Sequence, residues 1–97
     1  MSTLIGFALD SIRGERARQE RLKLEGRYKF TCADLEPSPC EKLAILGEEF
    51  GEAAHEVNET IGGHAKLDRA ALRKELVQVA AVAVAWIESI DREKDRM

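Results

Sequence analysis

Five glutamates fall within one twelve-residue segment: Glu48, Glu49, Glu52, Glu56 and Glu59. On a helix, Glu49 and Glu52 are three residues apart, and Glu48, Glu52 and Glu56 follow one another at intervals of four. Like charges at these spacings destabilise a helix by a few tenths of a kcal/mol per pair, and nothing basic alternates with them to offset this. A solvated acidic face explains most Glu-rich helices. A second segment favours another explanation here. Glu75 and Gln78 are also three apart, and Gln78 interrupts the otherwise apolar run Leu76–Ile87. An amide without partners there would cost on the order of 1–3 kcal/mol, so something polar is expected to face it. Antiparallel pairing of the two segments would set Glu49 and Glu52 opposite Glu75 and Gln78. Three carboxylates and one amide are all oxygen ligands, the set preferred by the hard divalent cations Mg²⁺ and Mn²⁺. Mg²⁺ held by carboxylates usually keeps waters and takes substrate phosphates as its other ligands.

Three helices are needed to position these groups. The first is predicted from Ser2 or Thr3 to Glu25, with Leu4, Ile5, Ala8, Leu9 and Ile12 at helical spacing and Leu22 and Leu24 further on. Gly14 inside it costs about 1 kcal/mol relative to Ala, and Gly26 is a suitable stop. Residues 26–38 read as a loop. Ser38-Pro39-Cys40-Glu41 reads as a helix start, with Ser38 as N-cap, Pro39 at the first helical position and Glu41 completing a capping box. The second helix carries Leu43, Leu46, Phe50, Ala53, Ala54, Val57 and Ile61 on one stripe and is expected to end at Gly62-Gly63. Asp68 is the expected N-cap of the third, in which Leu72, Leu76, Val79, Ala80, Ala83, Ile87 and Ile90 recur at three and four residues. Val82, Val84 and Trp86 also alternate as a strand would. The alanines between them and the charged flanks favour helix. The expectation is an all-α antiparallel bundle of three main helices, one domain over residues 1–97.

Composition narrows the function. The 97 residues are 44% hydrophobic and 34% charged, an ordinary apolar share that argues against wholesale disorder. A chain of this size buries only roughly 60–70% of its unfolded surface. The third helix is apolar all round through residues 76–87 and has to be covered on every side. A homodimer or homotetramer is therefore expected. The net charge of −3 hides an asymmetry. Residues 13–29 carry seven Lys/Arg against three Glu, whereas residues 34–60 carry eight Asp/Glu against Lys42 alone. The overall acidity excludes a nucleic-acid binder driven by bulk positive charge. The longest apolar run, twelve residues with Gln78 inside it, is short of the roughly 20 needed to span a bilayer. Met1–Ile12 has neither a basic n-region nor a long apolar core, so no signal peptide is expected. Cys32 and Cys40 match no common zinc spacing and are expected as free thiols in a reducing cytoplasm.

Leu46-Gly47-Glu48-Glu49-Phe50-Gly51-Glu52, followed after a 22-residue spacer by Glu75-Leu76-Val77-Gln78, resembles the MazG-like all-α nucleoside triphosphate pyrophosphatases. Their signature is Glu-Glu-x-x-Glu, a spacer, then Glu-x-x-Asp. The resemblance covers roughly residues 38–92, and Glu15-Arg16-Ala17-Arg18-Gln19 is similar to the leading segment of short phage and bacterial members. It implies Mg²⁺-dependent hydrolysis of a nucleoside triphosphate to the monophosphate and pyrophosphate, in the cytoplasm of the cell or of a phage host. Glu49, Glu52 and Glu75 would be the metal ligands, with Glu48 a further ligand or water-orienting base. Gln78 stands where the family has Asp; its amide oxygen can still coordinate, but the site loses one negative charge. Arg18, Lys23, Arg27, Lys29 and Lys42 are the cations available to a polyphosphate, each alternatively a solvated surface charge.

Two rivals are set beside this reading. Glu52-x-x-His55 matches the carboxylate–histidine spacing of di-iron bundles, but Glu75-x-x-Gln78 lacks the second histidine. A non-enzymatic helical adaptor, its acidic face meeting a basic partner, is favoured by Gln78. His55 is expected at the surface or packed against a neighbour, His64 in a loop, and Trp86 in the core rather than stacked on a base.

Overall fold

The structure, a computed structural model, describes residues 3–60 and 66–95. Its elements are α1 (Leu4–Leu24), α2 (Pro39–Asn58) and α3 (Arg69–Asp95), with no strand among the described residues. The fold is the expected all-α bundle. The segment from Val82 to Trp86 is helical; Val82 and Ala85 are buried while Val84 is exposed, so burial follows the helix and not the alternation.

Local chemistry sets the ends. Thr3 Oγ1 accepts from the Gly6 amide at 2.9 Å and opens α1. The helix runs through Gly14 without a break and closes at Gly26, whose φ of +79° suits only glycine. There the Arg27 amide bonds the Leu22 carbonyl at 2.8 Å and the Gly26 amide bonds that of Lys23 at 3.0 Å, a Schellman closure. The capping box at Ser38 is complete: the Glu41 amide donates to Ser38 Oγ at 3.2 Å and the Ser38 amide to Glu41 Oε1 at 3.0 Å. Asp68 Oδ1 accepts from the Ala71 amide at 2.9 Å and opens α3. Helix α2 ends at Asn58, with Glu59 as its cap; Ile61, Gly62 and Gly63 lie outside the described residues.

Helix α3 is the central element. Both α1 and α2 pack on it, and not on one another. Lys42 meets Ser89, while Glu49 meets Gln78, so α2 runs antiparallel to α3. Residues 25–38 bridge the gap between α1 and α2 at the C-terminal end of α3, and several bonds pin them there. The Lys23 ammonium donates to Asp34 Oδ1 at 2.7 Å, the Thr31 amide to Asp34 Oδ2 at 3.0 Å, and Arg92 to the Ala33 carbonyl at 3.0 Å. The core beneath is small: Cys32, Ala33, Val82 and Ala85, with Ile45, Leu46 and Trp86 packed against it. No described helix is long and apolar enough to cross a membrane.

Arg16 fastens α1 to α3. Only 8% exposed, it donates to both oxygens of Glu88 at 2.9 and 3.0 Å, to Glu20 at 2.9 Å and to Gln19 Oε1 at 2.9 Å. A planar guanidinium is the group that can serve so many acceptors at once.

Candidate metal centre

The antiparallel register of α2 and α3 brings together what the sequence spacing suggested. Carboxylate oxygens of Glu49, Glu52 and Glu75 lie within 4.8 Å of one another. Glu49 and Glu75 are half-buried and Glu52 is exposed. Burial, and then the charges of Glu52 and Glu75, push the Glu49 carboxyl above its ordinary range. Burial, then the hydrogen bond and charge of Glu52, push Glu75 up in the same way, against the opposing pull of Lys74. Such crowded, partly desolvated carboxylates favour added positive charge.

Gln78 joins the group through its amide. With the amide oxygen toward the carboxylates it would face only acceptors; turned, its nitrogen donates to Glu49 Oε2 at 3.2 Å and to Glu75 Oε2 at 3.0 Å. The same position serves either end of the amide: the oxygen can face a cation, as expected from the sequence, and the nitrogen can face the carboxylates when no cation is bound. The physical reason is the repulsion between carboxylates, which a bridging N–H₂ relieves.

Glu48 is exposed and borders a neighbouring concavity with Glu52, His55, Glu56 and Glu75. His55 is at the surface and pairs with Glu59 at 3.3 Å, outside the cluster of three. His64 lies outside the described residues.

A cavity of about 360 Å³ opens between α1, the loop, α2 and α3, with Glu49, Glu52 and Gln78 at its border. Of the basic residues singled out from the sequence, Arg18 lines it, paired with Glu15 at 3.1 Å. Lys23 and Lys42 do not. Lys23 is bound to Asp34, and Lys42, 4% exposed, donates to the Asp34 carbonyl at 2.7 Å and to Ser89 Oγ at 2.8 Å. Both therefore tie the loop to the helices, and neither is free to meet a phosphate. Arg27 and Lys29 are exposed on the loop and border no part of the cavity. Trp86 packs on the core. Cys32 and Cys40 are both free, and burial pushes the Cys32 thiol up, so it stays protonated.

Gln19, Tyr28, Phe30 and Thr31 also line the cavity, and sequence reasoning passed over them. Gln19 lay within the segment resembling the family's leading helix; the loop residues carried no periodic signal at all. Against protein-family models, curated proteins and solved structures, the chain finds no match.

Proposed function

We propose that the chain hydrolyses a nucleoside triphosphate, ribose or deoxyribose, to the monophosphate and pyrophosphate, using Mg²⁺ or Mn²⁺. The observation that carries this reading is the convergence of Glu49, Glu52 and Glu75 from two helices, with Glu49 and Glu52 at the edge of a cavity, in a chain whose Glu-Glu-x-x-Glu and Glu-x-x-Gln segments resemble the MazG-like signature. The cavity volume lies within the usual ligand range of roughly 300–1,000 Å³. The donor set fits a hard divalent cation: all its atoms are oxygens, and their mutual repulsion favours added positive charge. Glu49, Glu52 and Glu75 would hold the ion, which neutralises phosphate oxygens and activates a water when bound. Glu48, beside Glu52 and Glu75 and outside the cluster of three, would orient the attacking water and take its proton. Water adds at the α-phosphorus, the bond to the bridging oxygen breaks, and pyrophosphate leaves with that oxygen. Arg18 is the cation at hand for the polyphosphate.

Pyrophosphate release from a panel of ribo- and deoxyribonucleoside triphosphates with Mg²⁺ or Mn²⁺ tests the reading. At least one nucleotide should be cleaved, and Glu52→Ala should abolish the reaction. No release from any of them at micromolar protein would overturn it. Gln78 favours one alternative, a non-enzymatic adaptor. Its amide already satisfies two carboxylates, and an adaptor would release no pyrophosphate and would need a basic partner.

The chain is also proposed to act as a homo-oligomer, a dimer or a multiple of one. Its accessible surface is 7175 Å², against about 5,500 Å² for a compact monomer of this mass. Its radius of gyration is 15.3 Å, against about 13 Å for a compact 100-residue domain. Leu43, Phe50 and Val57 on α2, and Leu76, Ile87 and Ile90 on α3, are exposed at helical spacing. They form one apolar stripe on each helix. A second copy is the partner able to cover both.

A further inference from the structure

Gln19 is 8% exposed, and its amide has only one end engaged. The oxygen accepts from Arg16 Nη1 at 2.9 Å, and Arg16 is itself held by Glu20 and Glu88. The amide therefore cannot turn over, and its nitrogen is fixed as a donor. That nitrogen makes no hydrogen bond among the described residues, although Gln19 lines the cavity beside the carboxylates. No buried side-chain donor among the described residues lacks a partner, so this nitrogen is open to the cavity and free to donate to whatever enters it. One helical turn away, on the same face of α1, Glu15 also lines the cavity. One of its oxygens pairs with Arg18; the other has no partner among the described residues. Phe30 and Tyr28 from the loop, with Ile45 and Val82 from α2 and α3, supply flat and apolar walls. A fixed donor, a neighbouring acceptor and aromatic faces suit a planar heterocycle that carries an acceptor and an N–H on one edge.

We infer that this cavity takes the heterocyclic base of a nucleotide, with Gln19 as donor and Glu15 as acceptor to its polar edge. This rests on the nucleotide-hydrolysing reading, because it places the base in the cavity and the phosphates toward Glu49, Glu52 and Glu75. Gln19 is then a specificity-determining residue, and Arg16 acts on the base only by holding Gln19 in place.

Titration of the ¹⁵N-labelled full chain with the four common nucleoside 5′-monophosphates, without metal, tests the inference apart from catalysis. The Gln19 side-chain N–H₂ resonance should move with at least one of them and stay still with ribose 5-phosphate. Gln19→Glu keeps an acceptor for Arg16 but removes the donor, so it should fold and should bind the best monophosphate about ten-fold more weakly. Gln19→Leu, checked for folding by its melting curve, should do the same. A Gln19 resonance unmoved at millimolar monophosphate, or Gln19→Glu binding as tightly as the parent, overturns the base site. Pyrophosphate release by the parent chain is scored separately: release with an unresponsive Gln19 removes the base site alone, and a responsive Gln19 without release removes the hydrolytic reading alone.

Discussion

With its amide nitrogen turned toward the carboxylates, the end that their acceptor oxygens favour, Gln78 donates to Glu75 at 3.0 Å and reaches Glu49 at 3.2 Å. Without a cation, the amide is what separates two carboxylates that burial and like charge already force toward their protonated forms. Gln78→Glu replaces that donor with another carboxylate of the same length. The metal-free variant should lose about 1–3 kcal/mol, a fall of several degrees in Tm measured in EDTA. Mg²⁺ affinity should rise about ten-fold by calorimetric titration, because ligand charge count tunes binding of hard cations. Unchanged melting in EDTA would show that the amide is not relieving the repulsion.

Glu52 is the exposed member of the cluster, and its charge acts on both neighbours. Its removal should affect activity and stability in opposite directions. Glu52→Gln should reduce pyrophosphate release at least a hundred-fold while leaving the metal-free Tm unchanged or higher, since it removes repulsion. A fall in both would mark Glu52 as a structural residue.

The pH dependence of the metal-free chain follows from two opposed sets of carboxylates. The hydrogen bond and charge of Arg16 hold Glu88 below the ordinary carboxylate range, against burial. Burial pushes Asp34 up, but Lys23 and the Thr31 amide together bring it below its ordinary value. These two add stability that is present above about pH 4 and is lost as pH falls through their depressed values. Glu49 and Glu75 are raised, so their cost is fully present at neutral pH and is relieved as pH falls through their raised values. Tm in EDTA should therefore rise as pH falls from neutral through the raised values of Glu49 and Glu75, and fall again below about pH 4. Saturating Mg²⁺ should reverse the upper limb, because protons then compete with the ion. An upper limb identical with and without Mg²⁺ would argue against binding at these glutamates.

Arg16→Ala leaves Glu88 without its bidentate partner, and Gln19 Oε1 and Glu20 each lose a donor. Glu88 is partly open to water, its side chain 40% exposed, so the loss should fall below the full cost of a broken buried pair, at about 2–3 kcal/mol by denaturant unfolding. Arg16→Lys should recover only part of it, since an ammonium cannot reproduce the two-pronged contact. Full recovery by Lys would mean that charge alone holds α1 to α3.

What could be read from the sequence was local. Ser38 with Glu41, Asp68, and Gly26 each carry their cap signal within a few residues, and each forms as the sequence suggested. The meeting of Glu49, Glu52 and Glu75 was readable because two helical spacings and an antiparallel pairing are enough to bring them together. The roles of Lys42 and Arg16 were not readable. Lys42 reaches Ser89 across 47 residues and Arg16 reaches Glu88 across 72, and nothing near either residue distinguishes a buried lysine or arginine from a surface one. The orientation of Gln78 was hidden for another reason: spacing places an amide but does not turn it.

The apolar stripes on α2 and α3 give the last prediction. Phe50 is 66% exposed and Ile87 56%, in a chain whose surface exceeds that of a compact monomer by roughly 1,600 Å². Covering that excess on two copies would bury roughly 3,200 Å², within the size of an obligate interface. Sedimentation should show at least a dimer at micromolar concentration, and Tm should rise with protein concentration. Phe50→Glu or Ile87→Glu places a charge in the proposed interface and should shift the chain to monomer with a lower Tm. Neither residue lines the cavity, so a monomer that still folds also shows whether the cavity binds nucleotide without a second copy. A parent chain that sediments as a monomer at about 100 µM, with a Tm independent of concentration, would leave the stripes without the partner proposed for them.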